Sequence, residues 1–94
     1  MPVRWSRAAL QELDDASEFI GIESPQRALA LLQSVYANVD RLTQFPALGR
    51  LGRVDGTREL VISGTPYIVA YRLSGEVVEI LHVIHAARQW PERF

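Results

Sequence analysis

Apolar residues recur at two different spacings, and the change of spacing divides the chain into a helical first half and a strand-rich second half. After Ser6 they fall three and four residues apart, which predicts one helix of about four turns with a single apolar stripe. Its members are Ala9, Leu13, Ala16 and Ile20, flanked by Leu10 and Phe19. The same spacing resumes after Ser24-Pro25 for about five turns, at Ala28, Leu31, Leu32, Val35, Val39 and Leu42.

The residues at the helix ends support this assignment. Ser6 and Ser24 are favourable N-caps, and Pro25 suits a first helical position, where its missing N–H costs nothing. Gly21 is expected to end the first helix, and Phe45-Pro46 the second. Because only about three residues join them, the helices are predicted to form an antiparallel hairpin.

Strand-like segments flank this hairpin. At the start, Val3 and Trp5 alternate with Arg4, which predicts a short strand. Residues 46–56 carry three glycines and one proline and are expected to form a loop. Three β-rich segments follow, at residues 57–63, 67–73 and 76–85, and short turns at residues 64–66 and 74–75 connect them as hairpins.

The predicted fold class is α+β, with the order β-α-α-β-β-β. An N-terminal strand and an antiparallel helical hairpin pack on a small antiparallel sheet, and the first strand lies at an edge or beside the last strand. Ninety-four residues form a single domain, residues 1–94. No apolar segment approaches the length of a membrane span and no secretory signal is evident, so a cytoplasmic location is expected.

Composition narrows the available chemistry. The chain has no cysteine, which excludes disulfides, thiolate metal sites and thiol nucleophiles. All ten basic residues are arginine, so no lysine serves as a Schiff base or phosphate clamp. The formal net charge is -1, with the first 44 residues at -2 and the remainder at +1. Any anion-binding surface is therefore expected in the second half.

Three groups of residues are candidates for function. The first lies in and beside the glycine loop, where guanidinium groups match anions: Arg50, Arg53 and Arg58. The alternative is a solubilising loop whose arginines pair with Asp55, Glu59 or the acidic first helix. The three β-rich segments form an antiparallel meander, and its middle strand carries the second group, Tyr67, Tyr71 and Arg72. Tyrosines at such positions either stack on a partner or pack in the core.

The third group closes the chain and comprises His82, His85, Arg88 and Trp90. Strand alternation predicts His82 on the face of Val78, Ile80 and Ile84. It predicts His85 on the opposite face, with Glu79, Leu81 and Val83. A histidine near an arginine suits acid–base chemistry on a phosphodiester, or it caps the strand end by hydrogen bonding. Two histidines in opposite orientations make a poor metal site, so no metal and no cofactor are predicted.

The order of short motifs resembles the RelE/ParE superfamily of toxins from bacterial type II toxin–antitoxin modules, often called plasmid stabilisation proteins. The matching motifs are Gly49-Arg50, Gly52-Arg53, the segment GTREL from Gly56, PYIVAYR from Pro66, and a closing histidine, arginine and Trp90-Pro91. The resemblance covers nearly the whole chain and is closer to the ParE branch. It implies the fold already predicted and a cognate antitoxin that wraps the toxin and forms a hetero-oligomer with it.

The branches of this superfamily imply different targets. ParE-like toxins are associated with inhibition of DNA gyrase, and this is the favoured interpretation, with target-binding positions Arg50, Arg53, Arg58, Tyr71, Arg72, His85, Arg88 and Trp90. RelE-like toxins cleave mRNA on the ribosome. For that alternative the catalytic residues are His85 as acid or base, with Arg58 and Arg88 steadying the phosphate. The absence of lysine and the charge of -1 disfavour extensive RNA contacts. A third alternative is a degenerate toxin that only binds its antitoxin.

Overall fold

A computed structural model describes residues 1–88, 90–91 and 94 of the chain. Two helices and five strands follow in the order β1 (Val3–Trp5), α1 (Arg7–Glu23), α2 (Pro25–Arg41), β2 (Arg50–Leu51), β3 (Arg58–Val61), β4 (Tyr67–Ser74) and β5 (Val77–His85). The strands form one sheet in the order β1-β5-β4-β3-β2. The predicted α+β class is confirmed, and the six predicted elements occur in the predicted order, with one further strand, β2, between the second helix and the meander of three strands. Among the described residues, neither helix is long and apolar enough to cross a membrane.

The sheet is mixed, and it contains one strand more than the sequence indicated. Strand β1 pairs with β5 in parallel, whereas the other neighbouring strands are antiparallel. A parallel pair needs a long crossover between its strands, and here the helical hairpin and the meander supply it. The added strand, β2, has only two residues and lies within the predicted loop, paired with β3.

The helical hairpin has a tighter connection than predicted. Helix α1 continues two residues beyond Gly21 and ends at Glu23, since Gly21 does not adopt a positive φ. Ser24 alone joins the helices. Its N–H donates to the carbonyl of Ile20, while its hydroxyl accepts from the N–H of Arg27 at the start of α2. One residue therefore ends one helix and caps the next.

The core lies between the hairpin and one face of the sheet. Both predicted helical stripes contribute to it, together with alternate residues of β4 and β5, and its most deeply buried side chains are Leu13, Val35, Leu42, Ile62, Val69, Tyr71, Val78 and Ile80. We call this side of the sheet the helix face and the opposite side the outer face. Since strand residues alternate, Ala70 and Arg72 of β4 lie on the outer face.

A β-bulge changes the alternation of β5. Ala70 pairs with His82, but the next residue, Tyr71, pairs with Ile80, so Leu81 is an extra residue. The core residue Val83 therefore lies on the helix face with Ile80, although the two are three positions apart, an odd number that regular alternation would place on opposite faces. The face assignment of the two histidines was wrong for this reason: the bulge moves them onto different faces from those predicted.

After the bulge, His85 lies on the helix face and His82 on the outer face. His85 pairs directly with the core residue Tyr67, and His82 pairs with Ala70. Strand β1 pairs only with residues 78–80 of β5. Farther along the same edge of β5, a carboxylate takes the place of a neighbouring strand. Glu12 of α1 accepts from the N–H of Val83 at 3.1 Å, and its Oε1 lies 3.0 Å from Nδ1 of His82.

Candidate functional site

Two arginines of the glycine loop converge on one glutamate. Arg50 of β2 donates from Nε and Nη2 to Oε1 of Glu59, at 3.2 and 3.0 Å. Arg53 donates from its backbone N–H and from Nε to Oε2, at 2.9 and 3.1 Å. The sequence offered Glu59 as one of several partners for these arginines, and it binds both. We call Arg50, Arg53 and Glu59 the loop cluster.

Local sequence brings the two arginines together. The N–H of Gly52 donates to the carbonyl of Thr57 at 2.8 Å, which closes the segment between β2 and β3. A Cβ at position 52 would lie 2.3 Å from the hydroxyl oxygen of Thr57, so only glycine fits this approach. The same hydroxyl donates to the carbonyl of Val54. The turn between β2 and β3 thus brings Arg53 within hydrogen-bond distance of Glu59.

Glu59 is the buried member of the loop cluster. Only 3% of its side chain is exposed, against 57% for Arg50 and 45% for Arg53. Burial by itself raises the pKa of Glu59, but hydrogen bonds from the backbone and guanidinium of Arg53 and from Arg50 outweigh it. The pKa of Glu59 is therefore below its ordinary value of 4.5. The anion lies inside and the two cations face solvent.

An aromatic ring supports the cluster from the far end of the chain. The guanidinium carbon of Arg53 lies 3.8 Å from the ring centroid of Trp90, within the range of a cation–π contact. Arg53 is consequently held between the indole ring and the carboxylate of Glu59. Three of the predicted target-binding residues, Arg50, Arg53 and Trp90, are therefore neighbours on this surface.

Tyr71 packs in the core, as one of the two interpretations of the tyrosines expected, and does not lie at the surface as a target-binding position would. It is fully buried, its hydroxyl donates to the carbonyl of Pro46, and that hydroxyl accepts from the N–H of Gly49, both at 2.8 Å. Burial raises the pKa of Tyr71. The interpretation of Tyr71 as a surface contact is corrected here, because the residue is inaccessible and instead anchors the segment that leads into β2.

Arg58 also supports this segment. Its Nη1 donates to the carbonyl of Gly49 at 2.8 Å, with a longer bond to Ala47 at 3.4 Å. Arg58 pairs with Tyr71 across the sheet, whereas His85 pairs with Tyr67. Tyr67 and Tyr71 are four positions apart in β4, which corresponds to about 13 Å at ~3.3 Å per residue. The structure does not bring Arg58 together with His85.

His85 and Arg88 line a separate groove between α1 and the end of β5. Its volume is about 570 Å³, and Glu12, Asp15 and Phe19 form its helical wall. The His85 ring meets Tyr67 edge to face with centroids 5.4 Å apart, and its Nδ1 accepts from the N–H of Ala87 at 3.1 Å. The histidine thus caps the end of β5, as one of the two sequence interpretations expected.

A second ion-pair cluster lies on the outer face. Glu79 accepts from Arg4 at 2.6 Å and from Arg72 at 2.9 Å, and the hydrogen bond from Arg4 followed by that from Arg72 lowers the pKa of Glu79. The sequence pointed to Arg72 but missed Arg4. Only the parallel pairing of β1 with β5, which opposes Arg4 to Glu79, reveals the cluster.

The described residues include one group of acids close enough to share a cation. Asp14, Asp15 and Glu18 of α1 place carboxylate oxygens within 4.8 Å of one another, but all three side chains are exposed. Exposed acids at this helical spacing are an ordinary solvated face. They leave the arginine clusters as the chemically distinctive features of the molecule.

The fold is a small α+β domain that carries two arginine–glutamate clusters on the outer face of its sheet. Comparison with known proteins agrees with the resemblance in the sequence. The family model described as ParE toxin of type II toxin-antitoxin system, parDE, matches residues 3–90. The chain belongs to this family of toxins.

Individual relatives are consistent with that membership. Toxin Y4kP of Sinorhizobium fredii is 43% identical over 90 residues, which cover 96% of this chain and 93% of the relative. Toxin RelE2 of Caulobacter vibrioides is 34% identical over 86 residues, covering 92% and 96%. A solved chain from a chromosomal ParDE toxin–antitoxin system of P. aeruginosa superimposes with a TM-score of 0.82 at 27% identity, covering 90% of this chain and 95% of that one.

Proposed function

We propose that this toxin inhibits growth by binding DNA gyrase without catalysing a reaction, and that a cognate antitoxin neutralises it. The observation that carries the proposal is the preassembled loop cluster, in which Glu59 fixes two half-exposed guanidinium groups and one of them, that of Arg53, lies over Trp90. Such a surface suits recognition of an anionic protein patch, since charge complementarity directs association. The similarity to a chain of a ParDE system supports an antitoxin partner.

The catalytic alternative has weaker support in the geometry. A phosphodiester-cleaving site needs its acid or base and its phosphate-binding arginines around one reacting group. Here Arg58 contacts loop carbonyls and pairs with Tyr71, whereas His85 pairs with Tyr67. Tyr71 and Tyr67 lie about 13 Å apart along β4. Acidic side chains of α1 line the groove beside His85 and Arg88, which disfavours a phosphate there.

Two measurements test the proposal. In bacteria in which the toxin is induced, pulse labelling follows DNA synthesis and protein synthesis separately. In vitro, purified toxin is added to a gyrase supercoiling assay. We expect DNA synthesis to fail first and supercoiling to be inhibited. Arg53→Ala is expected to weaken both effects, whereas the matched variant Arg27→Ala, which removes an exposed arginine of α2, retains them.

Three other outcomes would contradict the proposal. Collapse of protein synthesis within minutes, with loss of toxicity in His85→Ala or Arg88→Ala, would establish the RelE-like nuclease alternative. Undiminished killing of cells with a toxin-resistant gyrase would exclude gyrase as the target. Binding of the antitoxin without any growth defect would identify a degenerate toxin.

A further inference from the structure

Both oxygens of the Glu59 carboxylate accept hydrogen bonds from arginines, in addition to the backbone pairing of Glu59 in the sheet. Oε1 accepts from both guanidinium groups, with Arg53 Nη2 at 3.4 Å in addition to the two bonds from Arg50. Oε2 accepts from the backbone and Nε of Arg53. Glu59 itself lies in β3, opposite Arg50 and Ala70, so its position is fixed by the sheet.

We propose that Glu59 is the positioning residue of the target-binding surface, which holds Arg50 and Arg53 as a preformed pair that receives a carboxylate of the target. The inference rests on the proposed function, in that these two arginines contact the target. Glu59 is nearly inaccessible and does not touch the target itself. It acts by fixing where the two guanidinium groups lie.

The distribution of burial supports this role over a purely structural one. A buried carboxylate is costly unless it is paired, and an apolar replacement of a buried ion pair is often equally stable. Here the sheet buries only the anion and leaves both cations about half exposed. Two neighbouring guanidinium groups repel each other, and a shared buried anion is what keeps them together at the surface.

The remaining donors of the arginines suit a carboxylate. The bonds to Glu59 use Nε and Nη2 of each guanidinium, and an arginine has five N–H donors in a rigid planar arrangement. A guanidinium held in place before binding loses less side-chain entropy when it engages a partner. Trp90 restricts Arg53 from the other side, so the preorganisation is greatest at that residue.

The test compares Glu59→Gln, which keeps the shape and removes the charge, with Glu76→Gln as the matched control. Glu76 is an exposed residue of the turn between β4 and β5, and no arginine in the described part of the chain forms an ion pair with it. We expect Glu59→Gln to raise the concentration needed for half-inhibition of supercoiling about tenfold or more, because both arginines lose their orientation. Glu76→Gln is expected to change it less than threefold.

A double-mutant cycle separates positioning from folding. In a background that carries Arg50→Ala and Arg53→Ala, Glu59→Gln is expected to have no further effect on inhibition, because nothing remains to be positioned. An equal loss in both backgrounds would overturn the inference and assign Glu59 a structural role. Unchanged inhibition by the single variant would overturn it as well.

Two further measurements keep the inference independent of folding and of the identity of the target. The charge-preserving pair Arg50→Lys and Arg53→Lys lacks the planar fork and is expected to reproduce the loss seen in Glu59→Gln. The same variants are scored by growth inhibition in cells, which needs no assumption about the target. If the toxin leaves gyrase unaffected but Glu59→Gln still reduces killing, the gyrase proposal fails and the positioning role stands.

Discussion

The hydroxyl of Tyr71 lies 2.8 Å from the backbone nitrogen of Gly49, and the tyrosine ring leaves no room for a side chain there. A Cβ at position 49 would lie 2.7 Å from Cε1 of Tyr71 and 2.9 Å from the carbonyl oxygen of Glu59. This close packing fixes the backbone immediately before Arg50. The arginine-bearing surface is thus held both by ion pairing and by a buried tyrosine.

Replacement of Gly49 by alanine is expected to destabilise the protein by about 1–3 kcal/mol, because the added methyl group clashes with backbone and with a buried ring. The control is Gly21→Ala, where the nearest atom to the new Cβ is 3.6 Å away and the residue is helical. That variant is expected to gain stability by about 0.5–1 kcal/mol. Urea denaturation of both proteins provides the comparison, and equal effects would contradict the prediction.

The Tyr71→Phe variant tests the hydrogen bonds separately from the packing. It leaves the N–H of Gly49 without its partner in a buried position, which is expected to cost about 1–3 kcal/mol. Toxicity is expected to fall together with stability, since the segment before Arg50 loses its anchor. Tyr36→Phe, which alters a half-exposed tyrosine, serves as the control and is expected to be nearly neutral. Hydrogen exchange at Gly49 should accelerate only in Tyr71→Phe.

The two serine caps are expected to differ in their contributions to stability. Ser6 accepts from the N–H of Ala9 and also donates to the carbonyl of Leu81 at the bulge, whereas the hydroxyl of Ser24 accepts only from Arg27. Ser24→Ala is expected to cost about 1 kcal/mol and Ser6→Ala about 2 kcal/mol, from one and two lost bonds. Thermal unfolding at matched conditions measures both. A larger cost for Ser24→Ala would be inconsistent with the link between α1 and β5.

Stability is expected to decrease on acidification because of Glu59. Its pKa in the folded protein is below the ordinary value of 4.5, so the carboxylate stabilises the fold above that pH. This contribution is lost as the pH falls from about 4.5 through the lower folded pKa, since the unfolded chain then binds the proton first. Denaturant titrations across this range should show the difference between the wild type and Glu59→Gln narrowing. A constant difference would contradict the prediction.

The sequence was sufficient for the element order because apolar spacing and caps are local signals. The stripes through Leu13 and Val35, and the caps at Ser6 and Ser24, all lie where the pattern placed them. Among the features that escaped, strand β2 has only two residues, and two others depend on distant residues. The parallel pairing of β1 is decided by its partner β5, and the bulge at Leu81 is evident only from the pairing register.

Prediction of the site was limited in the same way, because residue type is a local signal whereas side-chain contacts depend on distant residues. Residue type identified the arginines of the glycine loop, but not that one buried carboxylate, Glu59, joins Arg50 and Arg53. The tyrosine motif pointed to Tyr71, yet burial rather than residue type determines that it acts on the backbone of Gly49. Arg4 was overlooked because its partner lies 75 residues away in the sequence.

The parallel pairing of β1 with β5 has a consequence for synthesis of the toxin. Val3 pairs with Val78 and Trp5 pairs with Ile80, so β1 cannot pair until β5 has been synthesised. Contacts between distant parts of a chain slow folding, and vectorial synthesis delays them until the later segment emerges. Between the synthesis of β1 and that of β5, the nascent chain therefore carries an unpaired strand and an incomplete sheet. The fold of the toxin is completed only when β5 has been made.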